Sequence, residues 1–313
     1  MKRALVFPGQ GSQAPGMGRA LAEAFAAARL LFEEVDDALS QPLSRLMFEG
    51  PESELTLTEN AQPALLAVSL AVVRVLEREA DFSVARHAVY VAGHSLGEYS
   101  ALAAAGALPV GVAARLVRRR GQAMQKAVAV GDGAMAALLG LDIDAARAIA
   151  EQAAQGEVCA VANDNCPGQI VVSGHRGAVE RAVALAAAAG ARRSIMLPVS
   201  APFHCPLMAR AAHIMEAALA ETALATPVVP LVANVTAAPT SSPDEIKRLL
   251  VAQATQMVRW RESVLLFCKN QVEEVVELGA GRVLAGLVKR IDRALPTVSV
   301  GTPDEVAALI QRL

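Results

Sequence analysis

Neither sign of charge dominates this sequence. Twenty-nine Lys and Arg stand against 31 Asp and Glu, a formal net charge of −2, so no global field directs the chain toward nucleic acid or an acidic membrane surface. Cysteine is sparse. Cys159, Cys166, Cys205 and Cys268 show no CxxC spacing and have mostly apolar neighbours, which predicts reduced thiols and no metal site. Long hydrophobic runs are missing too. After Met1-Lys2-Arg3 the apolar stretch Ala4–Phe7 is cut by Pro8-Gly9-Gln10-Gly11, far short of a signal-peptide core. Ala101–Val117 is interrupted by Gly106, Pro109 and Arg115, and Pro63–Val73 is too short to span a bilayer. A cytoplasmic protein is expected, with neither membrane nor nucleic acid as partner.

What is present is a 313-residue chain, 54% hydrophobic and only 3% aromatic. About a fifth of it is alanine, which inflates the apolar fraction. That length is ample for a buried core and too ordered in composition for a disordered chain. Ala4–Phe7 and Val89–Ala92 read as buried strands, each feeding a glycine-containing turn. Helical periodicity predicts helices over Met17–Leu39 and Asn60–Glu79, and another through Ala105 after the second strand. Strand, sharp turn and helix in this order predict α/β architecture with a parallel sheet.

The texture changes after Met124. Ala134–Leu139, a helix to about Ala154, Val158–Ala162, Gln169–Ser173, a helix over Arg176–Ala189 and Arg193–Leu197 give the order β-α-β-β-α-β. That is a ferredoxin-like unit. The chain is thus read as a large α/β domain from 1–127 and 197–313, with a small ferredoxin-like α+β subdomain, 128–196, inserted. Asn163–Gly168 is expected to be the turn between the two inner strands. Beyond it, strands are expected at Leu231–Asn234, Val272–Leu278 and Thr297–Val300. Helices are expected at Pro243–Val258, Gly281–Ala294 and Asp304–Leu313.

The strongest chemical signal is Gly93-His94-Ser95-Leu96-Gly97, a G-x-S-x-G between a strand and a helix. Glycines on both sides permit a tight elbow that exposes the hydroxyl, and the following helix aims free N–H groups at it. Ser95 is therefore a candidate nucleophile, against the plainer reading of a glycine-rich packing turn. Five histidines could supply its base. His87 and His175 lie in turn-like polar surroundings, and His213 sits in an alanine-rich helix. His94 neighbours the serine, so its side chain points elsewhere and is a candidate for the pocket wall. His204 lies on the proline-bracketed loop Pro202-Phe203-His204-Cys205-Pro206, stiff enough to hold a side chain in reach of a hydroxyl. A structural loop histidine is the competing reading.

Phe7-Pro8-Gly9-Gln10-Gly11-Ser12-Gln13 follows the first strand but has neither the G-K-[ST] ending of a phosphate loop nor a dinucleotide spacing. Its place at the carboxyl end of a sheet strand is where α/β folds put ligand-facing groups. In Arg118-Arg119-Arg120, three consecutive helical residues cannot all face solvent alike.

Taken together, FPGQGSQ at 7–13, GHSLGEYSAL at 93–102, RGQAMQ at 120–125, NCPGQIVVSG at 165–174, PFH at 202–204 and ELGAGRVL at 277–284 resemble, in order and over essentially the whole chain, the malonyl-CoA:acyl carrier protein transacylases. The resemblance implies an α/β-hydrolase-like core with a ferredoxin-like insertion. It also implies transfer of malonyl from malonyl-CoA to the phosphopantetheine thiol of acyl carrier protein, for fatty-acid synthesis, without a cofactor. By the same resemblance Ser95 is the acylated nucleophile, His204 its base, and Gln253 the residue whose carbonyl orients the histidine. Gln10 and the Leu96 backbone form the oxyanion hole, Arg120 binds the malonyl carboxylate, and Phe203, Met124 and His94 complete the substrate site. Cys205 and Cys166 depart from the residues usual at their positions. An acidic carrier protein calls for a local basic patch, for which Lys289 and Arg290 are the candidates. A monomer is expected. A serine esterase or thioesterase is the alternative, as is an acyltransferase serving a polyketide synthase or a malonate decarboxylase.

Overall fold

A computed structural model describes residues 1–313. The strands, in chain order, are β1 Arg3–Phe7, β2 Tyr90–Gly93, β3 Gly133–Leu139, β4 Cys159–Cys166, β5 Gln169–His175, β6 Arg193–Met196, β7 Leu231–Val232, β8 Pro239–Thr240, β9 Glu274–Leu278 and β10 Thr297–Val300. They form two sheets. The larger has the order β10-β9-β1-β2-β7-β8, parallel except for its antiparallel edge strand β8. Every residue of β1 and of β9 is buried, as expected of strands covered on both faces. The smaller sheet is antiparallel with the order β4-β5-β3-β6, and the helices Ile143–Ala154 and Arg176–Ala188 pack on it. Its connectivity is that of the expected ferredoxin-like unit, beside the expected parallel core.

Register places the site. Phe7 pairs with Gly93, and Ala92 with Val232. The three loops leaving β1, β2 and β7 therefore emerge side by side at the carboxyl edge of the sheet. The helix Gly97–Ala104 follows β2 so closely that a Cβ on Gly93 would lie 1.9 Å from the Gly97 carbonyl carbon, and one on Gly97 would lie 2.2 Å from the Phe7 oxygen. Only glycine permits that approach.

Several expected elements differ. The helix read over 17–39 is two helices, Arg19–Ala24 and Ala26–Leu39, with Phe25 extended at φ −129° between them; its run of alanines contains nothing that signals the break. The stretch Asn163–Cys166 is not part of a turn but the end of β4, so that Pro167-Gly168 alone join it to β5. Asn163 also bridges Val258: the Val258 N–H donates to the Ala162 carbonyl, and the Asp164 N–H to the Val258 carbonyl. Those same bonds explain why the helix expected over 243–258 ends at Gln253. A separate helix, Trp260–Lys269, follows it. The helix Thr58–Glu79 is long and apolar enough to cross a membrane, with a mean hydropathy of 1.2, yet 89% of that window is buried inside the fold. Its all-round apolar surface is that of a core helix.

Candidate active site

The elbow after β2 holds Ser95 at φ +54°, and the loop after β6 holds His204 at φ +58°. Two non-glycine residues in the left-handed region, facing one another, mark backbone strain concentrated at one place. Ser95 Oγ lies 2.8 Å from His204 Nε2, and His204 Nδ1 lies 2.8 Å from the Gln253 backbone carbonyl. A carbonyl can only accept, so Nδ1 carries the proton and Nε2 presents its lone pair to the serine hydroxyl. His204 is buried, and burial together with the nearby Arg120 charge pushes its pKa down to about 3. The imidazole is held neutral, as a base must be. Three of the other histidines are elsewhere: His87 bonds within Ser83–His87, His175 accepts from the Val158 N–H, and His213 is exposed beside Glu216.

Of the three consecutive arginines, Arg119 is exposed and Arg118 reaches Gln41 and Asn60. Arg120 turns inward, 2% exposed. Its Nη1 donates to Gln62 Oε1 at 2.9 Å, and its Nη2 to Gln253 Oε1 at 2.8 Å and to Ser95 Oγ at 3.0 Å. The guanidinium carbon sits 5.9 Å from the centroid of the Tyr99 ring. No carboxylate pairs with it directly. A buried guanidinium held only by neutral oxygens, one of them the candidate nucleophile, is prepared for an anion that arrives with a ligand.

A cavity of about 820 Å³ opens over these groups, lined on one side by Gln10, His94, Ser95, Leu96 and Arg120 and on the other by Met135, Asn163, Phe203 and His204. It lies between the two sheets. The Gln10 and Leu96 N–H groups have no backbone acceptor, and the Gln10 side chain reaches Thr58 Oγ1 at 3.3 Å. His94 Nε2 is 2.9 Å from Asn165 Oδ1, and its ring rests against Trp260. Register shifts in β4 on either side of Asn163 and Asp164 bend the strand where Asn163 lines the cavity and Asn165 meets His94, a common use of bulges.

One sequence-based placement needs correction. Met124 does not line the cavity; it is 1% exposed, packed with Phe203 and Met135 behind the wall, with the Gln62 amide at its sulfur. Lys289 and Arg290 are exposed in the last turn of the helix Val283–Ile291, away from the cavity lining, and Arg290 donates to Gln169 Oε1. That helix starts at the sheet edge where the cavity lies and runs away from it. Sequence reasoning also missed Gln62, Glu98 and Asn234. Asn234 accepts the Ser95 N–H at 2.8 Å and donates to the Gly93 carbonyl at 2.7 Å, clamping the elbow from both sides. Glu98, one residue past the motif, is buried beneath it, and burial pushes its carboxyl up to about 8. No spacing signal marks Asn234 or Gln62.

A serine, a neutral histidine, a carbonyl in place of the usual acid and a buried arginine make a site for moving an acyl group. The family model of the acyl transferase domain matches residues 4–312. The chain belongs to the acyl transferase domain family. Among members of this family it is similar to the malonyl CoA-acyl carrier protein transacylase of Bacillus subtilis, 45% identical over all of this chain and 97% of that one. It is also similar to the solved acyl-carrier-protein S-malonyltransferase from Bartonella henselae, with 52% identity, a TM-score of 0.97 and coverage of 100% and 99% of the two chains. A third acyl transferase, a malonyl-transacylase solved in complex with its type II polyketide synthase acyl-carrier protein, superposes with a TM-score of 0.96 at 40% identity, covering all of both chains.

Proposed function

We propose that this protein transfers the malonyl group of malonyl-CoA to the phosphopantetheine thiol of an acyl carrier protein, through an ester on Ser95. The observation that carries the reading is the buried Arg120, free of any carboxylate partner and 3.0 Å from Ser95 Oγ. Ser95 Oγ attacks the thioester carbonyl while its proton passes to His204 Nε2. The Leu96 N–H and Gln10 receive the developing oxyanion. Collapse expels the CoA thiolate, which takes the proton from His204, and leaves O-malonyl-Ser95. The carrier thiol then gives its proton to His204 and attacks the ester, and Ser95 recovers its hydrogen as it leaves. Residues 1–127 and 197–313 supply all of these groups, and the insertion 128–196 adds Met135 and Asn163 to the facing wall.

Hydrolysis is the competing outcome of such a site. A neutral Gln253 carbonyl behind His204 adds no negative charge beside an anionic acyl group, whereas the acid of a hydrolase triad would. Intact-mass measurement after mixing with malonyl-CoA, followed by holo-carrier protein, tests the reading. A malonyl adduct that forms and then moves to the carrier supports it; release of free malonate without a carrier points to a thioesterase. Parallel arms with a fatty-acid carrier and a polyketide carrier identify the pathway.

Two expectations follow from the surroundings. Because His204 is held neutral, kcat/KM for malonyl-CoA should persist to about pH 5 instead of halving near the ordinary imidazole value of about 6.5. The base is lost only when pH falls below its depressed pKa. A half-maximal point near 6.5 in the pH profile would show an open, solvated histidine. For the carrier, reversing Lys289 and Arg290 to Glu should raise its KM severalfold and leave that for malonyl-CoA unchanged. Equal effects on both substrates, or none, would remove these residues from the docking surface.

A further inference from the structure

Beneath the elbow lies a buried carboxyl group that the transfer steps do not use. Glu98 is 1% exposed. Its Oε1 accepts the Asn234 backbone N–H at 2.5 Å, and its Oε2 accepts the Gln253 side-chain amide. Each partner is itself a clamp. The Asn234 side chain holds the Gly93 carbonyl and the Ser95 N–H, the two sides of the strained elbow. Gln253 holds His204 through its backbone carbonyl and Arg120 through Oε1, and its Nε2 also faces the Ser95 carbonyl at 2.9 Å.

We propose that Glu98 is a positioning residue for acyl transfer, whose two carboxyl oxygens tie the loop that clamps Ser95 to the helix end that orients His204 and Arg120. The inference rests on the proposed transfer and adds to it a residue that touches none of the reacting atoms.

Chemistry explains why a carboxyl is needed at this point. Both neighbours are N–H donors, so both oxygens must accept. A glutamine of the same size offers one oxygen and one NH2 group, and one of the two donors then meets another donor. If Gln253 turns its amide over to relieve the clash, its NH2 faces the Arg120 guanidinium and the arginine loses an acceptor. Asn234 has no such freedom, because its donor is backbone. The fault therefore passes to Gln253, and from there to both the base and the anion site.

Glu98→Gln tests this. Losing one buried acceptor and leaving its N–H donor unpaired is expected to slow Ser95 malonylation about tenfold or more. The ratio of malonyl to acetyl transfer should fall with it, because Arg120 is loosened, and thermal unfolding should remain a single cooperative transition. If Glu98 acts through Gln253, the double variant Glu98→Gln/Gln253→Ala should be no slower than Gln253→Ala alone. A wild-type rate and ratio in Glu98→Gln, or losses that multiply in the double variant, would overturn the proposal. Labelling of Ser95 by a neutral fluorophosphonate gives a readout independent of the natural acyl donor. It should slow in Glu98→Gln even if malonyl-CoA is not the substrate, and unchanged labelling with an unchanged rate counts against the tie. If Glu98→Gln does not fold, Gln253→Met reads the same link from its other end. Unchanged turnover and preference there leave Glu98 nothing to act through, and loss of both supports it.

Discussion

Ser95→Ala is expected to abolish the covalent malonyl adduct and to lower transfer to carrier protein by at least about 10^3-fold. The magnitude follows from the role: no other hydroxyl shares the contact with His204 Nε2 at 2.8 Å, so no neighbour can carry the acyl group in its place. His204→Ala should cost nearly as much, since the hydroxyl is a weak nucleophile without its base. Combining the two should add little, because each needs the other in the same step. Intact mass distinguishes the outcomes. A Ser95→Ala protein that still accumulated one malonyl group would move the nucleophile elsewhere.

How much of this site was legible beforehand depends on how its residues are held. Ser95 was readable because its constraint is local: the elbow needs Gly93 and Gly97 within van der Waals reach of the backbone, and glycine spacing is written in the sequence. The parallel core and the antiparallel unit were readable because buried strands and alternating helices carry periodic patterns. From residue properties alone His204 was one loop histidine among five; what decides for it is a contact across 109 residues of chain. Its orienting carbonyl at Gln253 is a backbone atom, which no residue type can advertise. Asn234 and Gln62 act over comparable separations and belong to no local pattern. The misread turn at Asn163–Gly168 has a similar origin. Its Asn, Asp, Pro and Gly residues favour a turn locally, but pairing of Asn163 and Asp164 with the segment at Val258 keeps the strand going to Cys166. Met124 was misplaced for the opposite reason, since helical register alone does not say which inward-facing residue reaches a cavity and which stops behind its wall.

Arg120→Ala should reverse the acyl preference. Malonyl differs from acetyl by one free carboxylate, and a planar guanidinium can grip it with two parallel hydrogen bonds. Truncating one partner of a buried, hydrogen-bonded charge pair costs about 2–5 kcal/mol, or about 30-fold to a few thousandfold in malonyl transfer. Acetyl transfer should hold or rise, and the reason lies in His204. The Arg120 charge is one of the two main causes that depress its pKa, so the arginine penalises the imidazolium that must form as Ser95 attacks. A malonyl carboxylate seated on Arg120 cancels that charge and relieves the penalty; an acetyl group cannot. Removing Arg120 relieves it for every acyl group, and discrimination collapses from both directions. Phe203, at the cavity wall, should continue to exclude a branched methylmalonyl group in this variant, because that selection is steric. Arg119→Ala, at an exposed position one residue away, is the control and should retain the wild-type ratio. Competition between malonyl-CoA and acetyl-CoA, read by intact mass on Ser95, measures both variants in one experiment. An unchanged malonyl preference in Arg120→Ala would leave the buried guanidinium without a part in specificity. Lowered malonyl transfer with equally lowered acetyl transfer would assign it instead to the general alignment of Ser95.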